Sequence, residues 1–528
     1  MNILMVAAEN DALPGGKVGG IGDVVHAIPV ALATAGQQVD VVTPGYQLFS
    51  TQPGAKKVGT VDVAFSDSIL TVDIYRVVAK VPCDNVCLWA FEHPLFACGG
   101  VGKIYCNDGE HRPFASDASK FALFSAAVAK AIIQNTFGQL DVVHLHDWHA
   151  AMIAVLRAFD PQYKALKKIH TVYTIHNLAL QGVRPFAHDE SSLQAWFPTL
   201  DYIADEINDP RARHCINPMR AGINLSDKVH AVSPNYANEI LRPSDYHQGF
   251  FGGEGLEHDL QRAAEDGRLH GILNGCEYPG NKVERLDPIE LLVRCEIEQL
   301  QWVGKQPQVD SAHFIAQARL THWLGLLAAD NEKRPFIATS VGRVTEQKVL
   351  LFTQLINGQT ALDHVLDTIG HDGLFIMLGS GDSKLEQFLT EVASRRQNFI
   401  LLKGYAENLS DYLYSTGDLF LMPSSFEPCG ISQMFAMRAG QPCLVHGVGG
   451  LSDTVADNKT GYVFTGDNLQ GQAEAMIERL QALMQLQCDK PKQWTKVANA
   501  AAKARFSWDD TAQRYISDLY QSYRLPGC

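Results

Sequence analysis

No run of about 18 apolar residues occurs anywhere in this chain, so nothing in it has the length and polarity of a membrane-spanning helix. The opening MNILMVAAEN lacks a basic n-region and a cleavage site, and reads as a first buried strand rather than a signal peptide. Positive charge is scarce. A formal net charge of −14 would repel a nucleic-acid backbone on average, which argues against a nucleic-acid partner while leaving room for one basic pocket. The eleven cysteines are odd in number and mostly set in apolar surroundings, as free thiols of a reducing cytosol are. Cys83, Cys87, Cys98 and Cys106 cluster, but without paired C-x₂-C spacing, so no structural zinc is expected. Repeats, heptads and low-complexity tracts are also missing, which excludes solenoids and coiled coils.

What is present is an ordinary globular composition, 46% apolar and 19% charged, over 528 residues, too long for one core. Strand-like and helix-like runs alternate, the pattern of parallel sheets covered by helices on both faces. Buried strands are expected at Ile3–Ala8, Val39–Thr43, Asp141–His146 and Lys168–Ile175, with helices at Asp23–Ala35 and Ser116–Gln134. The pattern restarts at Pro335–Val341, Leu374–Leu378, Phe399–Leu402, Leu419–Met422 and Cys443–His446. The expected fold class is α/β, with two Rossmann-like doubly wound domains facing a cleft. The first spans 1–270 and the second 271–505, the boundary falling near Leu269–Asn274. A polar, mostly helical stretch fills 277–334, and a C-terminal helix within 506–528 is expected to pack back on the first domain.

Residues 423–455 carry the most information. Glu427 is pinned by Pro428, and Cys429-Gly430 lead into an amphipathic helix that Gln441-Pro442 should end. A short apolar strand follows, and Gly449-Gly450 open another helix near Ser452 and Asp453. Two strand-to-helix turns of this kind aim backbone N–H groups at polyhydroxylated or anionic ligands. An ionised carboxylate between them accepts hydrogen bonds only, which suits sugar hydroxyls rather than phosphate. In the loop Val341-Gly342-Arg343-Val344-Thr345-Glu346-Gln347-Lys348, Arg343 leaves a strand end and Lys348 falls in the next helical turn. Two cations so spaced can meet one pyrophosphate, the arginine as a planar fork and the lysine as a compact charge.

Near the N-terminus, Gly15-Gly16-Lys17-Val18-Gly19-Gly20-Ile21-Gly22-Asp23 is glycine-rich, letting backbone approach a phosphate. It is neither a P-loop, since Val18 follows Lys17, nor a dinucleotide fingerprint, since Val25 takes the third glycine position. His144, His146, Asp147, Trp148 and His149 crowd another strand end; they offer no clear ligand set, and no metal is expected. Thr174-Ile175-His176-Asn177 closes the next strand.

Together these stretches resemble the bacterial and plant type of glycogen (starch) synthase, over residues 2 to 455. That family carries Glu-Pro-Cys-Gly-Leu-x-Gln-Met, then Ala-Met-Arg and Gly-Gly-Leu-x-Asp-Thr-Val. This chain has Glu427 to Met434, Ala436-Met437-Arg438 and Gly449 to Val455. The family's Lys-Thr-Gly-Gly-Leu-Gly-Asp, His-x-His-Asp-Trp-His, Thr-Ile-His-Asn-Leu-Ala and Ser-Arg-Leu-Thr-x-Gln-Lys match at Lys17, His144, Thr174 and Gly342.

The resemblance implies a retaining glucosyltransferase that moves glucose from ADP-glucose, with UDP-glucose as the alternative donor, to the non-reducing end of an α-1,4-glucan, without a cofactor. It implies catalytic roles for Arg343, Lys348, Glu427 and His176, the last beside the primary hydroxyl of the donor glucose. It places Lys17, Gly19, Gly20, Asp23, Cys429, Gly430, Gly449 and Gly450 at the donor, and His146, Asp147, Trp148 and Asn177 on the acceptor side. Departures are Val18 for Thr, Leu180 for Tyr, Gly342 for Ser, Val349 for Gly, and His446 and Val448 for Arg and Thr. Asn274-Gly275-Cys276-Glu277 replaces Asn-Gly-Ile-Asp, with no Trp-Asn-Pro after it. These leave two alternatives: a related transferase with another donor or acceptor, and a non-catalytic glucan-binding relative.

Overall fold

The computed structural model describes residues 1–109, 111–278, 284–306, 308–330 and 334–521. The chain divides into two compact units. The first comprises Met1–Ser244, Gly252–Gly275 and the C-terminal stretch from Ser507; the second comprises Asp245–Phe251 and Cys276–Phe506. Residues 271–275 therefore belong with the first unit, and a seven-residue excursion of the N-terminal half belongs with the second. Among the described residues no helix is long and apolar enough to cross a membrane.

The first unit is built on a sheet of β1 (Asn2–Val6), β2 (Gln38–Pro44), β3 (Lys56–Phe65), β4 (Ser68–Val77), β5 (Val86–Glu92), β6 (Val142–His146), β7 (His170–Ile175), β8 (Lys228–Ala231) and β9 (Leu269–Gly271). Their order is β9-β8-β7-β6-β1-β2-β5-β4-β3. The strands from β9 to β5 are parallel, and the apolar runs of β1, β2, β6, β7 and β8 are buried on both faces, as helices on both sides require. The antiparallel hairpin β3–β4 is an addition at the edge, with buried and exposed residues alternating over Val61–Phe65. The helix Ala115–Ile133 has small side chains on most faces and is almost entirely buried. The helix Trp508–Arg514 and its π-helical continuation Tyr515–Tyr520 pack Trp508, Ala512, Tyr515, Leu519 and Tyr520 into one core with Ile3, Met5, Ala27 and Val172. Each such large side chain contributes on the order of 1.5–3 kcal/mol of burial.

The second unit has a six-stranded parallel sheet of β10 (Phe336–Val341), β11 (Gly373–Leu378), β12 (Phe399–Leu402), β13 (Leu419–Met422), β14 (Cys443–His446) and β15 (Tyr462–Phe464). Their order is β12-β11-β10-β13-β14-β15, with the reversal of winding at β10 and β13. The polar stretch before it forms two helices, Pro288–Lys305 and Ser311–Ala329, each started by an aspartate that caps backbone N–H groups. The segment Asp245–Phe251 is fixed here by Phe251, whose ring lies 4.6 Å from that of Phe426. Residues 279–283, after the Asn274–Glu277 departure, lie outside the described residues, as do residues 522–528 of the C-terminal stretch expected to pack back on the first domain.

Candidate active site

In the second unit the two strand-to-helix turns meet backbone against backbone. Gly449 has φ +44°, and a Cβ there would fall 1.8 Å from the Glu427 carbonyl oxygen. At Gly450 a Cβ would fall 2.4 Å from the Cys429 carbonyl oxygen. Gly450 N–H donates to the Glu427 carbonyl (3.0 Å). Both glycines are thus required by close approach. Gln433 stitches the pair, its Nε2 donating to the Gly430 carbonyl (2.9 Å) and to Thr454 Oγ1 (3.2 Å). The helix after the first turn, Ser432–Ala439, ends on Gly440 in the left-handed conformation (φ +88°). That glycine, ahead of Gln441-Pro442, is the physical stop. The second helix begins at Gly449 itself and closes at Thr454, earlier than the expected Ser452/Asp453 start.

The Glu427 carboxylate is buried and ion-paired with Lys348 Nζ, and Ser424 Oγ donates to it (3.0 Å). Arg343 is exposed, and among the described residues no hydrogen bond or ion pair holds its guanidinium. Its loop is braced by Val344 N–H on the Ser380 carbonyl (3.0 Å) and by glycine at 379 and 381, where Cβ atoms would strike the backbone of Gly342 and Val344. Gly342, in place of the family serine, has open space around its Cβ position. His446, in place of arginine, is buried: Nδ1–H donates to the Ser424 carbonyl (2.9 Å), its ring stacks on Phe464, and burial lowers its pKa to about 4. A neutral histidine there holds the 424–427 turn without adding charge.

In the first unit, the glycine-rich loop is self-neutralised. Lys17 Nζ lies 2.5 Å from Asp23 Oδ1 and 3.5 Å from Asp11 Oδ2. Burial nonetheless raises the Asp23 pKa to about 6. The N–H groups of Val18 (2.8 Å) and Gly19 (2.7 Å) both donate to Glu9 Oε2, while Tyr105 donates its hydroxyl hydrogen to Glu9 Oε1 (2.6 Å). Glu9 lies three residues past the end of β1, at the tip of the expected strand Ile3–Ala8, and could have been singled out by that position. Tyr105, 96 residues away, gave no local signal.

At the ends of β6 and β7 lies a buried polar cluster. Asp147 sits at φ +61°, a strained setting for a non-glycine residue, with its carboxyl held by the backbone of Trp148, Asn177 and His176. Burial dominates, and its pKa rises to about 8. Trp148 packs under Gly182, where a Cβ would meet the indole at 2.2 Å. His149 lies between Trp148 and Phe121, and burial lowers its pKa to about 3. His146 is fully buried, stacked on His144 (4.4 Å between ring centres), with Nδ1 3.0 Å from His176 Nε2. His176 is 9% exposed, and burial holds both rings well below the usual histidine pKa. Asn177 Oδ1 accepts from Ala179 N–H (2.9 Å), an Asx turn that shapes the loop. Among the described residues no histidine, cysteine and carboxylate group has the arrangement of a metal site.

Two family descriptions match: Starch synthase catalytic domain over residues 2–262, and Glycosyl transferases group 1 over residues 329–501. The fold and these matches define a glycosyltransferase of the GT-B type. The chain is 32% identical over 540 residues to the glycogen synthase of Anaeromyxobacter sp. (strain Fw109-5), covering 100% of both. It is 31% identical to that of Clostridioides difficile (98% of each chain) and 29% identical to that of Photobacterium profundum (98% of this chain, 94% of the other). It belongs to the glycogen (starch) synthase family, as a divergent member. Among solved structures, the catalytic domain of starch synthase IV from Arabidopsis thaliana, bound to ADP and acarbose, superposes with a TM-score of 0.73 at 24% identity, covering 98% of each chain. Sucrose-phosphate synthase from Thermosynechococcus elongatus gives 0.53 at 16% identity, also covering 98% of each chain.

Proposed function

We propose that this chain transfers glucose from ADP-glucose to the non-reducing end of an α-1,4-glucan, with retention at the anomeric carbon. The observation that carries the reading is in the second unit: Arg343, whose guanidinium has no partner among the described residues, stands on the same loop as Lys348, which is ion-paired with Glu427. Arg343 and Lys348 neutralise the charge that grows on the departing nucleoside diphosphate. Each such preorganised contact is worth about 3–4 kcal/mol in the transition state. Glu427, an acceptor only, holds sugar hydroxyls, with Cys429, Gly430, Gly449 and Gly450 shaping the turn. His176 hydrogen-bonds the donor glucose, and Lys17 with the Gly19-Gly20 loop and Asp23 contributes to the diphosphate. Asp147, Trp148 and Asn177 support the acceptor side, and His146, fully buried, serves that side through its contact with His176.

The bond from the anomeric carbon to the diphosphate breaks, and a bond to the acceptor hydroxyl oxygen forms on the same face. The acceptor proton leaves with the phosphate oxygen, and no enzymatic nucleophile is assigned. Relatives called glycogen synthase over the whole chain length support the acceptor, and a fold relative seen with ADP and acarbose supports the donor base. The described cysteines, all free thiols, support a cytosolic setting.

The test is nucleoside diphosphate release from ADP-glucose and from UDP-glucose, each with and without glycogen, with Glu427→Ala and Lys348→Ala as controls. Glycogen-dependent release from ADP-glucose, lost in both variants, is expected. Release from UDP-glucose alone overturns the donor, and glycogen binding without release from either donor overturns catalysis.

A further inference from the structure

The histidines of β6, of β8 and of the turn after β7 form two hydrogen-bonded sets. In the first, His230 Nε2 faces the Ile272 carbonyl (3.1 Å), which only accepts, so His230 carries its proton there. Its Nδ1 is then an acceptor, facing Thr174 Oγ1 (3.0 Å) and, at 3.3 Å, the Tyr515 hydroxyl. With Thr174 as the nearer donor, its Oγ1 accepts from His144 Nε2–H (2.6 Å) and His144 Nδ1 accepts from Tyr520 (2.7 Å). Every member of this set has a partner at each ring nitrogen.

The second set is His146 and His176. Burial keeps both neutral, so each ring carries one proton, and a single proton lies between His146 Nδ1 and His176 Nε2. His146 Nε2 is buried and has no partner among the described residues. If the shared proton belonged to His176, His146 would carry its own on Nε2, an orphaned N–H in the core. If it belongs to His146, Nε2 is only a bare lone pair. A buried donor without a partner is the rarer and costlier defect.

We infer that His146 is a positioning residue that donates from Nδ1–H to His176 Nε2 and thereby fixes His176 as the Nδ1–H tautomer. His176 then offers a hydrogen-bond donor, not an acceptor, to whatever oxygen it meets. Resting on the reading above, that oxygen is a hydroxyl of the donor glucose, which must direct its own hydrogen elsewhere. His146, at zero exposure, acts through His176 rather than by touching sugar.

Long-range proton–nitrogen correlation spectra of the ¹⁵N-histidine-labelled full chain test this, with His176→Gln to assign the signal. The wild-type chain should show the protonated nitrogen of His176 at Nδ1. His146→Asn places an amide N–H where Nδ1–H was and should preserve that tautomer. His146→Leu should release it toward Nε2–H and lower glucosyl transfer about tenfold, the cost of roughly 1.4 kcal/mol of lost hydrogen bonding, with partial recovery in His146→Asn. A wild-type His176 protonated at Nε2 overturns the inference. So do Asn and Leu variants equally impaired with unchanged spectra. If His146→Leu does not fold, the wild-type and Asn spectra still decide. A wild-type chain with no transfer to glucan would instead overturn the functional reading, leaving the tautomer to be read from the spectrum.

Discussion

The two cationic loops match the same family about equally well in sequence, yet they stand in opposite electrostatic conditions. Lys17 is surrounded by its own carboxylates: Asp23 and Asp11 hold its ammonium, and Glu9 takes the Val18 and Gly19 N–H groups that a phosphate would need. Arg343 has no such partner among the described residues, and Lys348 shares its charge with one buried carboxylate that can itself hold a sugar. An anion arriving at the first loop must displace bonds already made. One arriving at Arg343 displaces no bond made by the described residues. A motif therefore names the groups that can bind, while their prior partners decide how much of that binding is available.

The largest effects should separate the loops most plainly. Arg343→Ala and Glu427→Ala are each expected to lower kcat/KM for the donor by about a hundred- to thousandfold, read from nucleoside diphosphate release. The glycines come next. Gly449→Ala, at φ +44° and against the Glu427 carbonyl, should cost on the order of 2–4 kcal/mol in chemical denaturation. Gly20→Ala, where a Cβ meets nothing within 4 Å, should change stability by less than about 0.5 kcal/mol. Equal costs would mean that the two turns are not built differently.

Acid should also divide the units. His144, His146, His149, His176 and His230 of the first unit all have folded pKa values depressed by burial from the ordinary 6.5, His149 and His230 to about 3. The unfolded chain takes up these protons as pH falls below about 6.5 and the folded chain does not, so stability is lost from there toward pH 4. Asp147 (about 8) and Asp23 (about 6) oppose this, because they keep protons in the folded state that the unfolded chain has already released. The histidines outnumber them. Each uncompensated histidine contributes ~1.4 kcal/mol per pH unit, and hydrogen exchange between pH 7 and 5 should show the first unit loosening before the second. Among the charged groups the smallest expected change is Lys17→Ala, about tenfold in donor KM, since much of that charge is already spent within the loop. A loss as large as that of Arg343→Ala would break the comparison.

Much of this was legible beforehand for local reasons. Apolar runs of five or six residues followed by glycine-rich turns mark parallel strands, and Glu427, Lys348 and Arg343 stand within short motifs whose spacing survives folding. The hairpin β3–β4 was passed over because its alternation is confined to one half of each strand, although Val61–Phe65 shows it clearly in hindsight. The membership of Asp245–Phe251 could not be read, because it depends on Phe251 meeting Phe426, 175 residues away.

The sequence by itself determined the family, the repeated α/β pattern and the identity of the groups at the strand ends, because each is written in contiguous residues with a fixed period or spacing. Tertiary structure alone decided which charges are already paired, which glycines lie against backbone, and on which ring nitrogen a histidine keeps its proton. These depend on contacts that local spacing does not reveal, from Lys17 with Asp23, 6 positions apart, to Tyr520 with His144, 376 apart, and on burial that changes the cost of a charge or an unmet N–H.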